Sequence, residues 1–279
     1  MTQQLARLST APRTNSDASI SIIVPALNEA RNLPRVFAAL PADAEVVLVD
    51  GGSQDDTVKV AQDLRPDVVV VQQTRRGKGN ALACGFSAST GELIVMIDAD
   101  CSTDPAEIPR FIEALHDGAD FAKGTRFALG GGSDDITPLR RLGNKGLNGL
   151  VNVLFGTSFT DLCYGYNAFR RTVLADMALP RLDLPAPPSG KLYGDGFEVE
   201  TLINIRVATA GRKITEVPSI EAPRQFGESN LNAVRDGIRV LKTIMKEFVG
   251  RRRQTRNEID ELERELEVVA HRTPATSNA

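Results

Sequence analysis

With 279 residues, 42% of them hydrophobic, the chain is long enough to bury a substantial core and fits one large α/β domain with tails. Its 33 basic and 36 acidic side chains leave a formal charge of -3, which excludes a globally basic nucleic-acid-binding protein. Cys84, Cys101 and Cys163 are odd in number and lack metal-ligand spacing, so they read as reduced thiols of a cytoplasmic protein, not as a disulfide framework.

In chain order, residues 1–18 are rich in Thr, Ser, Gln and Ala without a long apolar core, and read as a disordered tail, neither signal peptide nor anchor. Short β-rich runs then recur at Ile20–Val24, Glu45–Val49, Val68–Val71 and Leu93–Ile97. Helix-length segments lie between them at Leu33–Leu40, Asp56–Leu64 and Gly79–Ser89. This alternation predicts a mainly parallel sheet covered on both faces by helices. Asn32, with Pro34 in the first turn, predicts one helix cap, and Ser53 with Asp56 three residues on has the form of a capping box. Pro105 opens a helix to about Leu115, and Phe121–Thr125 follows as a strand. The run Gly130-Gly131-Gly132-Ser133-Asp134-Asp135 has the composition of either a mobile lid or an ordinary surface loop. Beyond it the pattern predicts helices over Leu139–Phe155, Gly196–Ala210 and Leu231–Val249, and strands over Tyr166–Arg170 and Ile214–Val217. Asn257–Val269 carries Ile259, Leu262 and Leu266 at helical spacing among charges, a helix that packs on its own domain or on a second subunit. No apolar run is long enough to span a bilayer, so membrane contact is expected to be peripheral.

Ligands of such sheets bind beyond the carboxyl ends of the strands, and the polar residues of this chain gather there. Asn28-Glu29 follows the first strand, Asp50-Gly51-Gly52-Ser53 the second and Asp98-Ala99-Asp100 the fourth. Asp98 and Asp100, spaced i and i+2 after a buried strand, project to one side of its end. Two carboxylates suit Mg²⁺ or Mn²⁺, whose remaining positions are taken by water and substrate phosphate. An isolated Asp-X-Asp is equally a helix cap; its company distinguishes it.

That company is a set of motifs in fixed order: Pro25-Ala26-Leu27-Asn28-Glu29, Asp50-Gly51-Gly52-Ser53-Gln54-Asp55-Asp56-Thr57, Gly77-Lys78-Gly79-Asn80-Ala81-Leu82 and Asp98-Ala99-Asp100. With these the sequence closely resembles glycosyltransferase family 2 over roughly Ser19 to Ile244. The resemblance implies the GT-A fold, an inverting transfer from a nucleoside diphosphate sugar, and a Mg²⁺ or Mn²⁺ cofactor. It divides the chain into the tail 1–18, the catalytic domain 19–249 and a charged C-terminal helix and tail 250–279. It further implies that Pro25, Ala26, Glu29, Asp50, Lys78, Asp98 and Ala99 line the donor, with Asp50 on the base, and that Asp100, with Asp98, holds the metal.

Later motifs narrow the resemblance. Lys123-Gly124-Thr125-Arg126-Phe127, Arg140-Arg141-Leu142-Gly143-Asn144-Lys145, Asp161 to Arg170 and Arg224-Gln225-Phe226-Gly227-Glu228-Ser229-Asn230 resemble dolichyl- and polyprenyl-phosphate sugar synthases. This implies that Arg126, Arg140 or Arg141, and Arg224, with Ser229, gather around an acceptor phosphate. Arginine suits that task because its planar fork binds phosphate oxygens in pairs and stays charged. Asp161 stands where relatives acting on alcohols place a general base; a phosphate acceptor needs no such base, so Asp161 is expected to position an arginine. Many such synthases continue into transmembrane helices, whereas this sequence continues into a charged helix, so a lipid acceptor rests on motifs alone. The expected acceptor is a polyprenyl phosphate and the donor of GDP-mannose or UDP-glucose type; the alternative is the same donor chemistry on a soluble alcohol. Lys242, Lys246, Arg251, Arg252, Arg253 and Arg256, interleaved with Ile244, Met245 and Phe248, form either a solvated helix end or a contact with the inner face of an anionic membrane. Asp195 reads either as a cap of the following helix or as a site residue.

Overall fold

The computed structural model describes residues 18–188, 190–227 and 234–252. Residues 1–17 of the expected tail 1–18, and the expected helix Asn257–Val269, lie outside them. Strands β1 (Ile20–Ala26), β2 (Glu45–Asp50), β3 (Val69–Gln72) and β4 (Leu93–Met96) alternate with helices α1 (Leu33–Ala38), α2 (Thr57–Leu64) and α3 (Lys78–Ala88). Then come α4 (Ile108–His116), β5 (Phe121–Thr125), β6 (Gly132–Ser133), α5 (Pro138–Phe155), β7 (Asn167–Arg170), α6 (Leu174–Met177), α7 (Val199–Thr209), β8 (Ile214–Pro218) and β9 (Ile220–Glu221). Residues 234–252 form a last helix, α8.

Seven strands make one sheet in the order β3-β2-β1-β4-β7-β5-β8. All neighbours are parallel except β7, which runs antiparallel to both β4 and β5. The apolar runs are continuous because both faces are covered. Ile22, Val24, Leu48 and Val95 point to the side of α1 and α4, meeting Leu33, Val36, Phe111 and Leu115. Their neighbours Ile23, Val47, Val49 and Ile94 point to the other side, against Leu82 of α3 and Val199 and Ile203 of α7. A third cluster joins Val151 of α5, Ile205 of α7 and Val240 and Ile244 of α8, so the two late helices are fastened to the domain by their inner faces. This is the GT-A architecture the motifs imply. No helix among the described residues is long and apolar enough to cross a membrane.

Local details depart from expectation in three places. Asn32 does not cap α1: it is itself helical, and its amide donates to Glu29 and to the Phe226 carbonyl. The predicted Ser53 box is absent, because Asp55 accepts from the Thr57 N–H while Ser53 accepts from the Asn28 N–H. The glycine run 130–135 is part of a ladder: Gly132 and Ser133 pair with Ile220 and Glu221, and Ser133 Oγ also bonds the Glu221 carboxylate.

Candidate active site

The carboxyl ends of β1, β2 and β4 open into a cleft of about 1290 Å³. Pro25, Ala26, Glu29, Lys78, Asp98, Ala99 and Asp100 all line it. Asn28 adopts a left-handed conformation with φ 58°, which Asn tolerates through local hydrogen bonding; its side chain accepts from the Gln54 N–H and fastens the first strand-end loop to the second. Asp50 is different. It is buried, does not line the cleft, and accepts from the N–H groups of Gly52 and Ser53 and from Gln72. Burial opposes its ionisation, but these hydrogen bonds prevail and hold its pKa below the ordinary value. Its carboxylate thus shapes the loop, and Gly51 and Gly52 form the wall in its place.

Lys78 begins α3 and reaches into the cleft floor, 2.6 Å from Asp98 Oδ1 and 2.8 Å from Glu200 Oε1. Burial disfavours its charge, yet the two carboxylates outweigh this and raise its pKa well above that of a free lysine. The start of α3 is set by close packing. A Cβ on Gly77, whose φ is +126°, would fall 2.1 Å from the Asp195 carbonyl oxygen, and one on Gly79 would fall 1.9 Å from that of Gly194. In return, Gly79 and Asn80 donate their N–H groups to the Asp195 carbonyl. Asp195 is neither a cap nor a cleft residue: its carboxylate forms a buried two-bond pair with Arg75 at 2.8 and 2.9 Å, and α7 starts only at Val199.

Asp100 accepts from the Ser102 N–H through Oδ1 and lies 3.0 Å from Arg224 Nη2 through Oδ2. The same guanidinium reaches Glu29 Oε1 at 2.9 Å. Burial raises the pKa of Glu29, opposed by Asn32 and Arg224. Asp98 and Asp100 are hard oxygen donors on one strand end, and no group of three or more His, Cys, Asp or Glu among the described residues could hold a metal alone. This donor set fits a divalent cation that completes its shell with diphosphate oxygens and water.

Arg126 and Arg140 line the same cleft as Arg224, whereas Arg141 and Asp161 do not. Ser229 lies outside the described residues. Asp161 is fully buried and accepts from Arg126 Nε at 2.7 Å, Arg126 Nη2 at 2.9 Å, the Arg126 N–H at 3.1 Å and Asn144 Nδ2 at 3.0 Å. Burial alone would raise its pKa, but Arg126 and then Lys123 bring it below the ordinary carboxylate value. Arg126 also meets Glu221 at 3.0 Å, so its fork is aimed by two carboxylates. Arg140 pairs with Asp135 at 3.1 Å, and Arg141 lies over the Phe127 ring.

Glu200 and Asn144 are cleft residues that the sequence expectations did not single out for a role. Glu200, the second partner of Lys78, is the one acidic residue of α7 and is buried, and a lone carboxylate on a helix that is buried along most of its length was its signal. Asn144 lies within the Arg140–Lys145 motif, and its Oδ1 is buried without a partner.

Residues 21–177 match the sequence profile of "Glycosyl transferase family 2". Glycosyltransferase AglJ of Haloferax volcanii is 32% identical over 224 residues, covering 78% of this chain and 68% of the relative. Dolichol-phosphate mannosyltransferase of Pyrococcus furiosus is 29% identical over 81% of this chain and 64% of its own length. The undecaprenyl-phosphate 4-deoxy-4-formamido-L-arabinose transferase of Enterobacter sp. is likewise 29% identical, over 77% and 63%. The chain therefore spans less than two thirds of these last two relatives. Among solved structures, glucosyl-3-phosphoglycerate synthase from Mycobacterium tuberculosis, crystallised with Mn²⁺, UDP and glucosyl-3-phosphoglycerate, superposes with a TM-score of 0.62 at 23% identity over 84% of this chain and 81% of that one, a likeness of fold. By the profile match and the identity to its relatives, the chain belongs to glycosyltransferase family 2.

Proposed function

We propose that the protein transfers a sugar from a nucleoside diphosphate sugar, of GDP-mannose or UDP-glucose type, to a polyprenyl phosphate, with inversion at the anomeric carbon and with Mg²⁺ or Mn²⁺ bound at Asp100 and Asp98. The observation that carries this reading is a single cleft lined by Asp98, Asp100 and Lys78, by Arg224 paired with Asp100, and by Arg126 and Arg140. The metal supplies positive charge to the departing nucleoside diphosphate. Lys78 fixes Asp98 through its 2.6 Å pair and keeps the floor of the cleft from repelling phosphate. An acceptor phosphate oxygen forms the new bond to the anomeric carbon as the bond to the diphosphate breaks.

A phosphate monoester has a second pKa of about 6 and is largely a dianion at neutral pH, so no proton need be removed from it. This agrees with the burial of Asp161, a positioning residue that aims Arg126. The relatives named for dolichol phosphate and undecaprenyl phosphate favour this acceptor over a soluble alcohol. Nucleic acid has no place in the scheme, and contact with the inner face of a membrane would be peripheral. The test replaces Asp100 with Asn and measures transfer to undecaprenyl phosphate and to undecaprenol, with and without EDTA. Expected are transfer to the phosphate only, loss on chelation and loss of most turnover in the variant. Equal use of undecaprenol, or full rates in EDTA, would overturn the reading.

A further inference from the structure

The last helix, α8, is apolar on two sides. Val240 and Ile244 face inward and pack with Val151 and Ile205, whereas Ile238, Leu241, Met245 and Val249 are each between 42% and 49% exposed. Steps of three and four residues put the second group in one stripe, on the far side of the helix from the first. Asp236 and Arg239, which pair with each other at 2.6 Å, lie off this stripe, and Glu247 is turned inward to Arg206 at 2.9 Å. Lys242 and Lys246 flank it, so the outer side of α8 is an apolar row with a basic border. A row of large apolar side chains left in water marks a contact surface.

The sequence says what covers it. α8 is still helical at Arg252, and no glycine or proline stands between Arg251 and Val269. Seven-residue steps from Ile238 reach Met245, Arg252, Ile259 and Leu266. The same steps from Leu241 reach Phe248, Thr255, Leu262 and Val269. Both series are apolar except at their centres, Arg252 and Thr255. A repeat of this kind kept over about four heptads is the pattern of paired helices, and the expected helix Asn257–Val269 takes its phase from α8. Charge then divides the series in two. Residues 234–252 hold six basic and two acidic side chains, while residues 257–269 hold six acidic and one basic. Parallel pairing would set like charge on like; antiparallel pairing sets the basic half of one helix on the acidic half of another.

We propose that the outer face of α8 is an interface with a second copy of this chain, the 238–269 series of the two copies pairing antiparallel about a two-fold axis between residues 253 and 254. Every layer then closes. Ile238 meets the partner's Val269, Leu241 the partner's Leu266, Met245 the partner's Leu262 and Phe248 the partner's Ile259, while Arg252 against the partner's Thr255 makes a polar layer that fixes the register. Lys242 faces the partner's Glu263, and Arg251 faces the partner's Glu258. The two-fold axis repeats each contact and closes the assembly at two copies. Ion pairs on a wet surface contribute little, so the apolar layers hold the dimer and the charges choose its direction. The pairing stands whatever sugar or acceptor the cleft takes.

The test is sedimentation equilibrium of the full chain over a wide concentration range, where wild type should reach twice its 30.1 kDa. The variants are Lys242→Glu and Glu263→Lys, both on exposed charge and both verified as folded by a melting curve. Each alone turns two attractive pairs per dimer into repulsive ones and should weaken self-association on the order of 10-fold. Mixed in equal amounts, the two variants should regain wild-type association, because opposite charges face each other again at both pairs of the mixed dimer. A monomeric wild type overturns the proposal; if that monomer binds phosphatidylglycerol vesicles, the stripe belongs to a membrane surface instead. A dimer indifferent to both substitutions is built on another face, which also overturns it. Lowered melting temperatures in both variants, with no gain of mass on mixing, would place the acidic segment on the α8 of its own chain and refute the second copy.

Discussion

Replacing Asp161 with Asn separates a positioning residue from a general base. The carboxylate receives three bonds from Arg126 and one from Asn144 inside a fully buried site. An Asn amide keeps one acceptor oxygen but turns an N–H₂ group against the Arg126 donors and removes the balancing charge. Breaking a buried ion pair costs about 3–5 kcal/mol. Arg126 retains Glu221 at 3.0 Å, so the lower end, about 3 kcal/mol, is expected here. For a domain of this size that is a fall in Tm of about 6–12 °C. The loss has a pH signature. The folded pKa of Asp161 is depressed, so its contribution is complete above the unfolded carboxylate pKa and disappears as pH falls through the folded one; wild type and variant should converge in acid. Transfer to undecaprenyl phosphate, followed across the same pH range, should weaken through acceptor affinity while the shape of the rate profile is kept. A stability change below about 1 kcal/mol, with a turnover loss of about 10² to 10⁴ and disappearance of the acidic limb, is the mark of a general base and would refute the assignment.

Two further outcomes follow from buried groups. Lys123 is fully enclosed, donating to the carbonyls of Gly124 and Tyr164, and burial pushes its pKa from 10.5 down to about 8 despite the attraction of Asp161 and Glu216. Between those pH values the unfolded chain holds the proton that the folded chain has released, so stability should rise with pH. Urea unfolding at pH 7.5 and pH 10 should show wild type gaining on Lys123→Met, and a constant difference would count against the buried ammonium. Gly79→Ala should cost at least about 3 kcal/mol, the upper range for overpacking, because the new methyl meets the Gly194 carbonyl oxygen; a melting temperature equal to wild type would show that α3 does not pack as described.

The parallel half of the sheet was readable because its strands are apolar on both faces and end in polar turns, so Leu93–Met96 followed by Asp98-Ala99-Asp100 announces both a buried strand and a site. The reversed strand β7 was not readable as such: Asn167–Arg170 looks like any short strand, and only packing shows that it inserts between β4 and β5. The caps failed for a related reason. Asn32 and Ser53 have good capping chemistry, but both are used to tie the strand-end loops together, a tertiary demand that overrides local preference. Motif order found Lys78, Asp98 and Asp100 but could not pair Lys78 with Glu200, which is distant in sequence. Likewise Arg126 and Asp161 were both singled out, while the third partner of the group, Glu221, sits on a two-residue strand too short to leave a pattern.

The reversed strand also bears on how the chain is made. During synthesis β1 to β4 can assemble as soon as they emerge, yet the outer edge of β4 has no partner until Asn167–Arg170 arrives, after α4, β5 and the whole of α5. Unpaired strand edges in partly made domains are templates for pairing with the wrong chain. Until then the nascent protein presents the backbone of Leu93–Met96, an uninterrupted apolar segment that leads to the cleft carboxylates Asp98 and Asp100, as an open edge. Ribosome-bound chains stopped before β7 should therefore depend on chaperones, and chains extended past β8 should not.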